Sequence, residues 1–445
     1  MQPNVASRIE IVPISSLRPN PRNARKHGRK QIGQLVRSIE RFGFNSPLLV
    51  DDVGVVQCGN GRLEALKSMG RTDVPIIRLS HLSPDEMRAY ALADNRIALN
   101  SSWDIELLAE EFEDLSNLGG ELDLSLTGFS VAEIDAIIEE VEEADPKAKR
   151  DPANRIPALQ EAAVTRTGDL WLLGRHKLIC GDSRDPITYQ TLMGDEIADM
   201  VFCDPPYNVP VDGHVCGKGS VQHAEFAMAS GEMTPVQFIA FLTQTLGNAA
   251  KVCRSGAIAY VCMDWRHMGE LLEAGKAVFS ELKNLCVWNK QNAGMGAFYR
   301  SKHELVFVFK VGKGEHVNTF GLGGEGRYRT NVWDYAGVTS VGADQSQALS
   351  WHPTVKPVAM VRDAICDCSH RGDIVLDNFG GSGTTLIGAH KAGRSARLIE
   401  FEPRYCDVTI RRFQALTGKL ATLDGDGRTF EQVAAARAPQ GGPHA

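Results

Sequence analysis

Leu376-Asp377-Asn378-Phe379-Gly380-Gly381-Ser382-Gly383-Thr384-Thr385 lies between an apolar run, Ile374 to Leu376, and a helix-like run, Leu386 to Ala392, closed by Gly393. Strand, glycine turn and helix in that order bring backbone amides close to a nucleotide-like ligand. Glycines adopt the backbone angles such a turn needs and leave room for the ligand. A second apolar strand, Ala396-Arg397-Leu398-Ile399, ends at Glu400. That carboxylate stands 19 residues past Gly381, where a ribose-binding acid is expected in such units. The third glycine of the dinucleotide fingerprint is absent, so the loop is a different kind of nucleotide turn. A plain strand–helix turn would look the same, and the loop alone does not decide the chemistry.

A second stretch, far upstream, decides it. Asp199-Met200-Val201-Phe202-Cys203 reads as a buried parallel strand and runs into Asp204-Pro205-Pro206-Tyr207. Two prolines fix the backbone and remove two amide donors, leaving carbonyls free to accept. A carboxylate, a rigid carbonyl and an aromatic face at a strand's carboxyl end suit the grip of a planar, amine-bearing ring. With Phe379-x-Gly381-x-Gly383, this tetrapeptide resembles the amino-methylating DNA methyltransferases. The Pro-Pro motif precedes the glycine motif, with a long insert between, as in the permuted β group of that family. His352-Pro353-Thr354-Val355-Lys356-Pro357 resembles the family's HPTxKP element, and Cys180-Gly181-Asp182-Ser183 stands where the family has an acid near the cofactor's adenine.

The resemblance implies an α/β fold: a Rossmann-like, mostly parallel sheet with helices on both faces. It implies S-adenosyl-L-methionine as cofactor. Asp377, Phe379, Gly381, Ser382, Gly383 and Thr384 would wrap its methionine end, and Glu400 would take the ribose hydroxyls. Asp182 and Ser183 would lie near its adenine, and Thr354 and Lys356 would hold its carboxylate. Asn378 stands where the family usually has Pro, which is expected to loosen the turn slightly. Asp204, Pro205, Pro206 and Tyr207 become the catalytic set.

At 445 residues the chain exceeds one ordinary core. The N-terminus lacks an apolar signal region, and the longest apolar run, Ala257 to Met263, is too short for a bilayer. Ten scattered cysteines include no CxxC pair, which predicts reduced thiols, a cytoplasmic protein and no metal site. Net charge is −7, but 15 acids and no Lys or Arg lie between Asp104 and Asp145. Without them the chain has 48 cations and 40 acids, a balance of +8. One acidic segment masks an otherwise basic protein.

Residues 1–100 resemble the ParB/sulfiredoxin-like domain, a small α+β fold. The likeness rests on Ile11-Val12-Pro13-Ile14, the glycine turn and helix start from Gly59 to Ala65, and Ala93-Asp94-Asn95-Arg96. In ParB proteins the glycine-arginine box cradles a nucleotide triphosphate. Here Leu63 and Glu64 replace its later positions, which argues against that activity; the amides and Arg62 keep a nucleotide or other anion at Gly59–Arg62 as an expectation. Residues 101–145 read as an acidic helical spacer, 146–164 as a linker, 165–420 as the methyltransferase domain and 421–445 as a disordered tail. Cations and aromatics interleave in 289–350. Lys290, Tyr299, Arg300, Arg327 and Arg329 are expected to contact DNA there.

The expected reaction is methyl transfer to the exocyclic N6 of an adenine flipped out of double-stranded DNA. Asp as the first residue of the tetrapeptide resembles the adenine group. N4-cytosine stays open, as do a methyltransferase for RNA or a protein glutamine and a ParB-like clamp with a vestigial catalytic half. DNA is the expected partner, with no membrane; a homodimer stays open.

Overall fold

Two apolar runs 175 residues apart lie side by side: Met200 pairs with Val375 and Val201 with Leu376, in parallel register. The computed structural model describes residues 9–117, 123–144, 153, 156–209, 231–290, 298–319, 329–336 and 355–438. The chain forms two compact units, Met1–Ser130 and Val131–Ala445. The first unit thus runs past the boundary expected at residue 100, and the division falls inside the acidic segment.

The first unit contains β1 (Ile9–Pro13), β2 (Arg18–Pro19), α1 (Arg29–Phe42), β3 (Leu48–Val50), β4 (Val55–Cys58), α2 (Asn60–Ser68), β5 (Asp73–Arg78), α3 (Pro84–Ile97) and α4 (Ile105–Asn117). Its sheet runs β1-β5-β3-β4-β2. Asp51 Oδ1 accepts from the amides of Val53 (3.0 Å) and Val55 (2.7 Å), which closes the β3–β4 hairpin. Ser83 and Glu86 form a reciprocal cap on α3, with Pro84 at its first position. Ile32, Leu35, Val36 and Ile39 turn one side of α1 to the core. The eight Lys and Arg of residues 18–41 are all exposed.

The second unit begins with α5 (Val131–Ala144), then β6 (Leu170–Leu173), β7 (His176–Cys180), α6 (Pro186–Met193) and β8 (Ala198–Cys203). Next come α7 (Pro235–Lys251), β9 (Cys253–Met263), α8 (Met268–Val278), β10 (Glu281–Asn289), β11 (His303–Lys310) and β12 (Val332–Asp334). It finishes with α9 (Val358–Cys368), β13 (Ile374–Asp377), α10 (Thr384–Lys391), β14 (Ser395–Glu400), α11 (Pro403–Thr417), β15 (Thr422–Leu423) and α12 (Phe430–Arg437). The ten-stranded sheet runs β12-β10-β11-β9-β8-β13-β14-β7-β6-β15. Strands β9, β8, β13, β14 and β7 are mutually parallel, and β11 joins β9 antiparallel. One apolar cluster packs α9, α10, α11 and α12 on one face; another packs α6, α7 and α8 on the other. The expected sandwich of helices around a mostly parallel sheet is what the chain forms.

Connections after β8 lead toward β9, and those after β13 lead toward β14, on opposite sides of the β8–β13 pair. Their carboxyl ends therefore form a switch point, where open α/β sheets leave a crevice.

Three sequence expectations are corrected. The acidic segment is not simply a solvated spacer. Asp135 of α5 is 4% exposed and pairs with Arg394 (3.0 Å) and Arg371 (3.2 Å). Burial opposes its charge, but these guanidiniums outweigh that and hold its carboxyl below the usual range. The stretch read as a linker is anchored where it is described. The Ala153 carbonyl accepts from Arg412 (2.7 Å), and the amides of Val164 (2.7 Å) and Thr165 (3.0 Å) donate to Asp407. Within the tail, Thr422–Leu423 and Phe430–Arg437 are regular structure. Phe430 is buried against Trp171 with ring centroids 5.5 Å apart, because β15 extends the sheet next to β6.

Candidate active site

β8 ends at Cys203, so Asp204 is the first residue past the sheet's carboxyl edge; β13 ends at Asp377, and the glycine turn begins one strand away. Gly381 (φ 50°) and Gly383 (φ 80°) adopt left-handed backbone. A Cβ on Gly383 would stand 2.6 Å from Thr409 Cγ2, so α11 closes against this turn. A Cβ on Gly381 would meet only the Phe379 carbonyl, at 3.9 Å, which leaves space over the turn.

That space is a cavity of about 190 Å³ shared by both motifs. Asp204, Pro205, Pro206 and Tyr207 wall one part; Asp377, Phe379, Gly381, Ser382 and Thr384 wall another, with Glu400 beside them. Ser183 and Lys356 also line it. Gly383 stands behind the wall as the left-handed cap of α10. Thr354 lies outside the described residues.

On the glycine side, Glu400 Oε2 accepts from the Gly381 amide (2.7 Å) and Oε1 from the Glu402 amide (2.8 Å). Burial outweighs those two bonds and lifts the Glu400 carboxyl to about 7. Asp377 accepts from the Phe379 amide (3.0 Å) and is likewise lifted by burial to about 7. Each carboxylate retains acceptor capacity toward the cavity. Asn378 does more than loosen the turn. Its Nδ2 donates to Tyr189 Oη (3.1 Å) and the Thr245 carbonyl (3.3 Å), while its buried Oδ1 has no partner among the described residues. Asp182 is not in the wall; it is held by Arg184, at 2.6 Å.

On the Asp204 side lies a chain of alternating charges. Lys356 Nζ donates to Asp204 Oδ2 (2.6 Å) and to the Tyr207 hydroxyl (3.1 Å), and lies 3.1 Å from Glu304 Oε2. Glu304 also pairs with Lys290. The Tyr207 hydroxyl donates to Asp204 Oδ1 (2.8 Å). Burial would raise Glu304, but the ammonium groups of Lys356 and Lys290 bring it down to about 2. Lys356 is pushed up: burial opposes its charge, and Asp204 and Glu304 more than offset that. Burial lifts the Asp204 carboxyl against the pull of Lys356. A quarter of the Asp204 side chain remains accessible, on the cavity.

The expected roles of several residues shift accordingly. Lys356 is committed to Asp204 and Glu304, so it belongs to the tetrapeptide's side of the cavity. Glu304 was not foreseen: an acid opening an apolar strand gives no signal that two lysines will surround it. Lys290 is tied to Glu304 and lies over the Trp288 ring, at 4.7 Å. Arg329, also expected at DNA, is instead tied within the chain: it pairs with Asp363 (3.2 Å) and Asp367 (3.0 Å), lies over Trp333 and keeps 16% of its side chain accessible. Tyr299 and Arg300 are exposed, as a contact surface requires; Arg327 lies outside the described residues. At the glycine turn of the first unit, Arg62 Nη1 donates to the Ser46 carbonyl (2.7 Å), so its guanidinium is engaged by the chain.

A nucleotide-type glycine turn and an acid-Pro-Pro-Tyr turn, opening on one cavity at a parallel switch point, define an α/β methyltransferase. Residues 198–411 match a DNA methylase family, residues 2–96 a ParB N-terminal domain and residues 106–167 a ParB-methyltransferase HTH domain. The chain is 22% identical over 239 residues to type II methyltransferase M2.MboI of Moraxella bovis, covering 52% of this chain and 86% of that one. It is 26% identical over 242 residues to DNA adenine methyltransferase YhdJ of Escherichia coli, covering 49% and 76%. The N-terminal region is 37% identical over 84 residues to the ParB-like nuclease domain-containing protein YnaK of Escherichia coli, covering 18% and 97%. Among solved structures, the cytosine-N4-specific PvuII DNA methyltransferase aligns with TM-score 0.42 at 15% identity, over 62% of this chain and 94% of its own. Residues 198–411 form a DNA methylase domain of the N6/N4 family, and residues 2–96 a ParB-type N-terminal domain.

A methylase of this family draws its methyl group from S-adenosylmethionine, and the residues present fit that molecule. Two buried carboxylates, Asp377 and Glu400, line the cavity beside the glycine turn. They suit hydroxyl and ammonium donors on a cationic ligand.

Proposed function

We propose that the chain transfers a methyl group to the exocyclic N6 of an adenine flipped out of duplex DNA. The observation that supports this most is the shared cavity: the Asp204–Tyr207 turn and the Phe379–Thr384 turn wall the same space. The cofactor supplies an electrophilic methyl on a sulfonium, so no covalent enzyme intermediate is required. An adenine amine is a poor nucleophile because its lone pair is delocalised into the ring. Asp204 and the Pro205 carbonyl accept its two N–H bonds, which draws the nitrogen toward tetrahedral geometry. A new N–C bond then forms as the S–C bond breaks, and the nitrogen sheds one proton toward Asp204 or water. Alignment is the main source of rate, and the fixed carboxylate stabilises the positive charge that develops on the amine. Lys356 and Glu304 hold Asp204 in place. The Tyr207 ring lines the base side of the cavity and stacks on the purine.

Adenine is favoured because Asp opens the tetrapeptide. The test is transfer of labelled methyl to DNA, followed by digestion and mass spectrometry of the nucleosides. N6-methyl-2′-deoxyadenosine from the DNA, strongly reduced with Asp204→Ala, is the expected result. N4-methylcytosine would redirect the base assignment, and label on RNA or protein alone would overturn the reading.

A further inference from the structure

Phe298 is 96% exposed, the most exposed large apolar side chain among the described residues. Its neighbour Tyr299 is 78% exposed, and the two rings meet edge to face with centroids 4.6 Å apart. Phe298 also holds φ 63°, a left-handed backbone that a non-glycine residue rarely adopts. An apolar ring left in water on a strained backbone is a local cost, and such outliers gather at functional sites.

The pair stands a few residues before β11, whose Glu304 contacts two residues of the cavity wall, Lys356 and Tyr207. Strands β10 and β11 end at the pair Asn289–His303, and the Lys290 amide donates to the Lys302 carbonyl (2.8 Å) to close the loop between them. At the base of this loop, Lys290 grips Glu304, which lies 3.1 Å from Lys356 and 3.3 Å from the Tyr207 hydroxyl. The loop thus springs from the same charge chain that holds Asp204. Beyond Lys290, which Glu304 neutralises, it carries two further cations, Arg300 and Lys302, and no acid, as suits an approach to phosphates.

A base turned out of a duplex leaves a gap whose neighbours have lost their stacking partner. Proteins that unstack DNA commonly insert an apolar wedge at such a step. We propose that Phe298, braced by Tyr299, enters the gap left by the extruded target base and holds the duplex open while Asp204 and Tyr207 grip that base. The proposal rests on the function proposed above. It assigns Phe298 a role in extruding the base and none in the transfer step.

The test separates those roles. Methyl transfer is measured for full-length wild type, Phe298→Ala and Phe298→Trp on two duplexes that contain the methylated site. In one the target is paired; in the other it faces an abasic position, so little energy is needed to extrude it. Phe298→Ala should lower kcat/KM on the paired duplex by about 10- to 100-fold, the scale of an unstacking cost of a few kcal/mol. It should change the abasic-opposed duplex by less than about threefold, and Phe298→Trp should retain most of the paired activity. Equal loss on both duplexes overturns the proposal, since the residue then serves the site generally. No loss on either also overturns it and leaves the aromatic pair to another partner. Wild-type activity on the abasic-opposed duplex keeps the methyltransferase reading standing in both cases; its absence on both duplexes would sink that reading and the proposal with it.

Discussion

The turns at Gly59 and Gly383 begin alike and end differently. Each glycine is left-handed, at φ 96° and ψ 23° or φ 80° and ψ 25°, and each opens a helix without a side-chain cap. A Cβ at either would collide with a neighbour, Leu48 Cδ2 at 2.8 Å or Thr409 Cγ2 at 2.6 Å. What stands in front of the helix differs. Before α10 the backbone leaves a cavity walled with buried carboxylates. Before α2, side chains of the same unit crowd the turn. Arg62 folds back to within 3.1 Å of a Cβ at Gly59, and the His27 ring would stand 2.9 Å from one at Gly61. Asn60 donates to the Val56 carbonyl and accepts from the Asn20 amide. A glycine-opened helix offers amides in both places, and the surroundings set how much room is left in front of them.

The contrast can be broken in several ways. Asp204→Ala should lower kcat by about 10²- to 10³-fold, the usual cost of losing a preorganised group at a developing charge. Arg62→Ala should leave kcat on short duplexes unchanged; an equal loss from both variants would erase the distinction between the turns. Glu304→Gln removes the counter-charge between two lysines, so Lys356 loses a partner that fixes it under Asp204. A kcat decrease of about tenfold with little change in cofactor affinity is expected, on the scale of a charged hydrogen bond. Steady-state kinetics beside cofactor titration would check it. Gly383→Ala should weaken cofactor binding by about tenfold in calorimetry, because the strained Cβ forces the turn off α11. Gly59→Ala should instead lower the stability of the first unit by about 1–2 kcal/mol and leave cofactor affinity unchanged.

The smallest effect concerns pH. Glu400 rises from 4.5 to about 7 by burial. It binds its proton more tightly folded than unfolded. Its stabilising contribution to the unliganded fold is complete below 4.5 and disappears as pH rises through about 7. Ribose hydroxyls favour the ionised form, so cofactor affinity should climb by up to about tenfold from pH 6 to 8. Glu400→Gln should flatten that profile; an unchanged profile would remove Glu400 from the cofactor's contacts.

Much of the site was legible because its chemistry is local. Asp204, Pro205, Pro206 and Tyr207 are consecutive, and the glycine turn lies between two strand-like runs. Charge partners were not legible. The sequence puts Lys356 with the cofactor and Lys290 and Arg329 with DNA, since a cation in a sequence declares its charge but not its neighbour. Asp135, in a segment that reads as a solvated acidic helix, is buried against Arg394 and Arg371. The HTH family match over residues 106–167 covers a stretch whose composition reads as spacer and linker. Phe430 lies in a tail without pattern and packs on Trp171.

The sequence by itself determined which strands end in reactive turns, because apolar run, proline and glycine act over a few residues through backbone angles and missing donors. Tertiary structure alone decided that β8 and β13 lie next to each other, that Glu304 comes between two lysines, and that one glycine turn borders a cavity while side chains crowd the other. Burial and ion pairing depend on residues brought together from distant parts of the chain, and no local pattern records them.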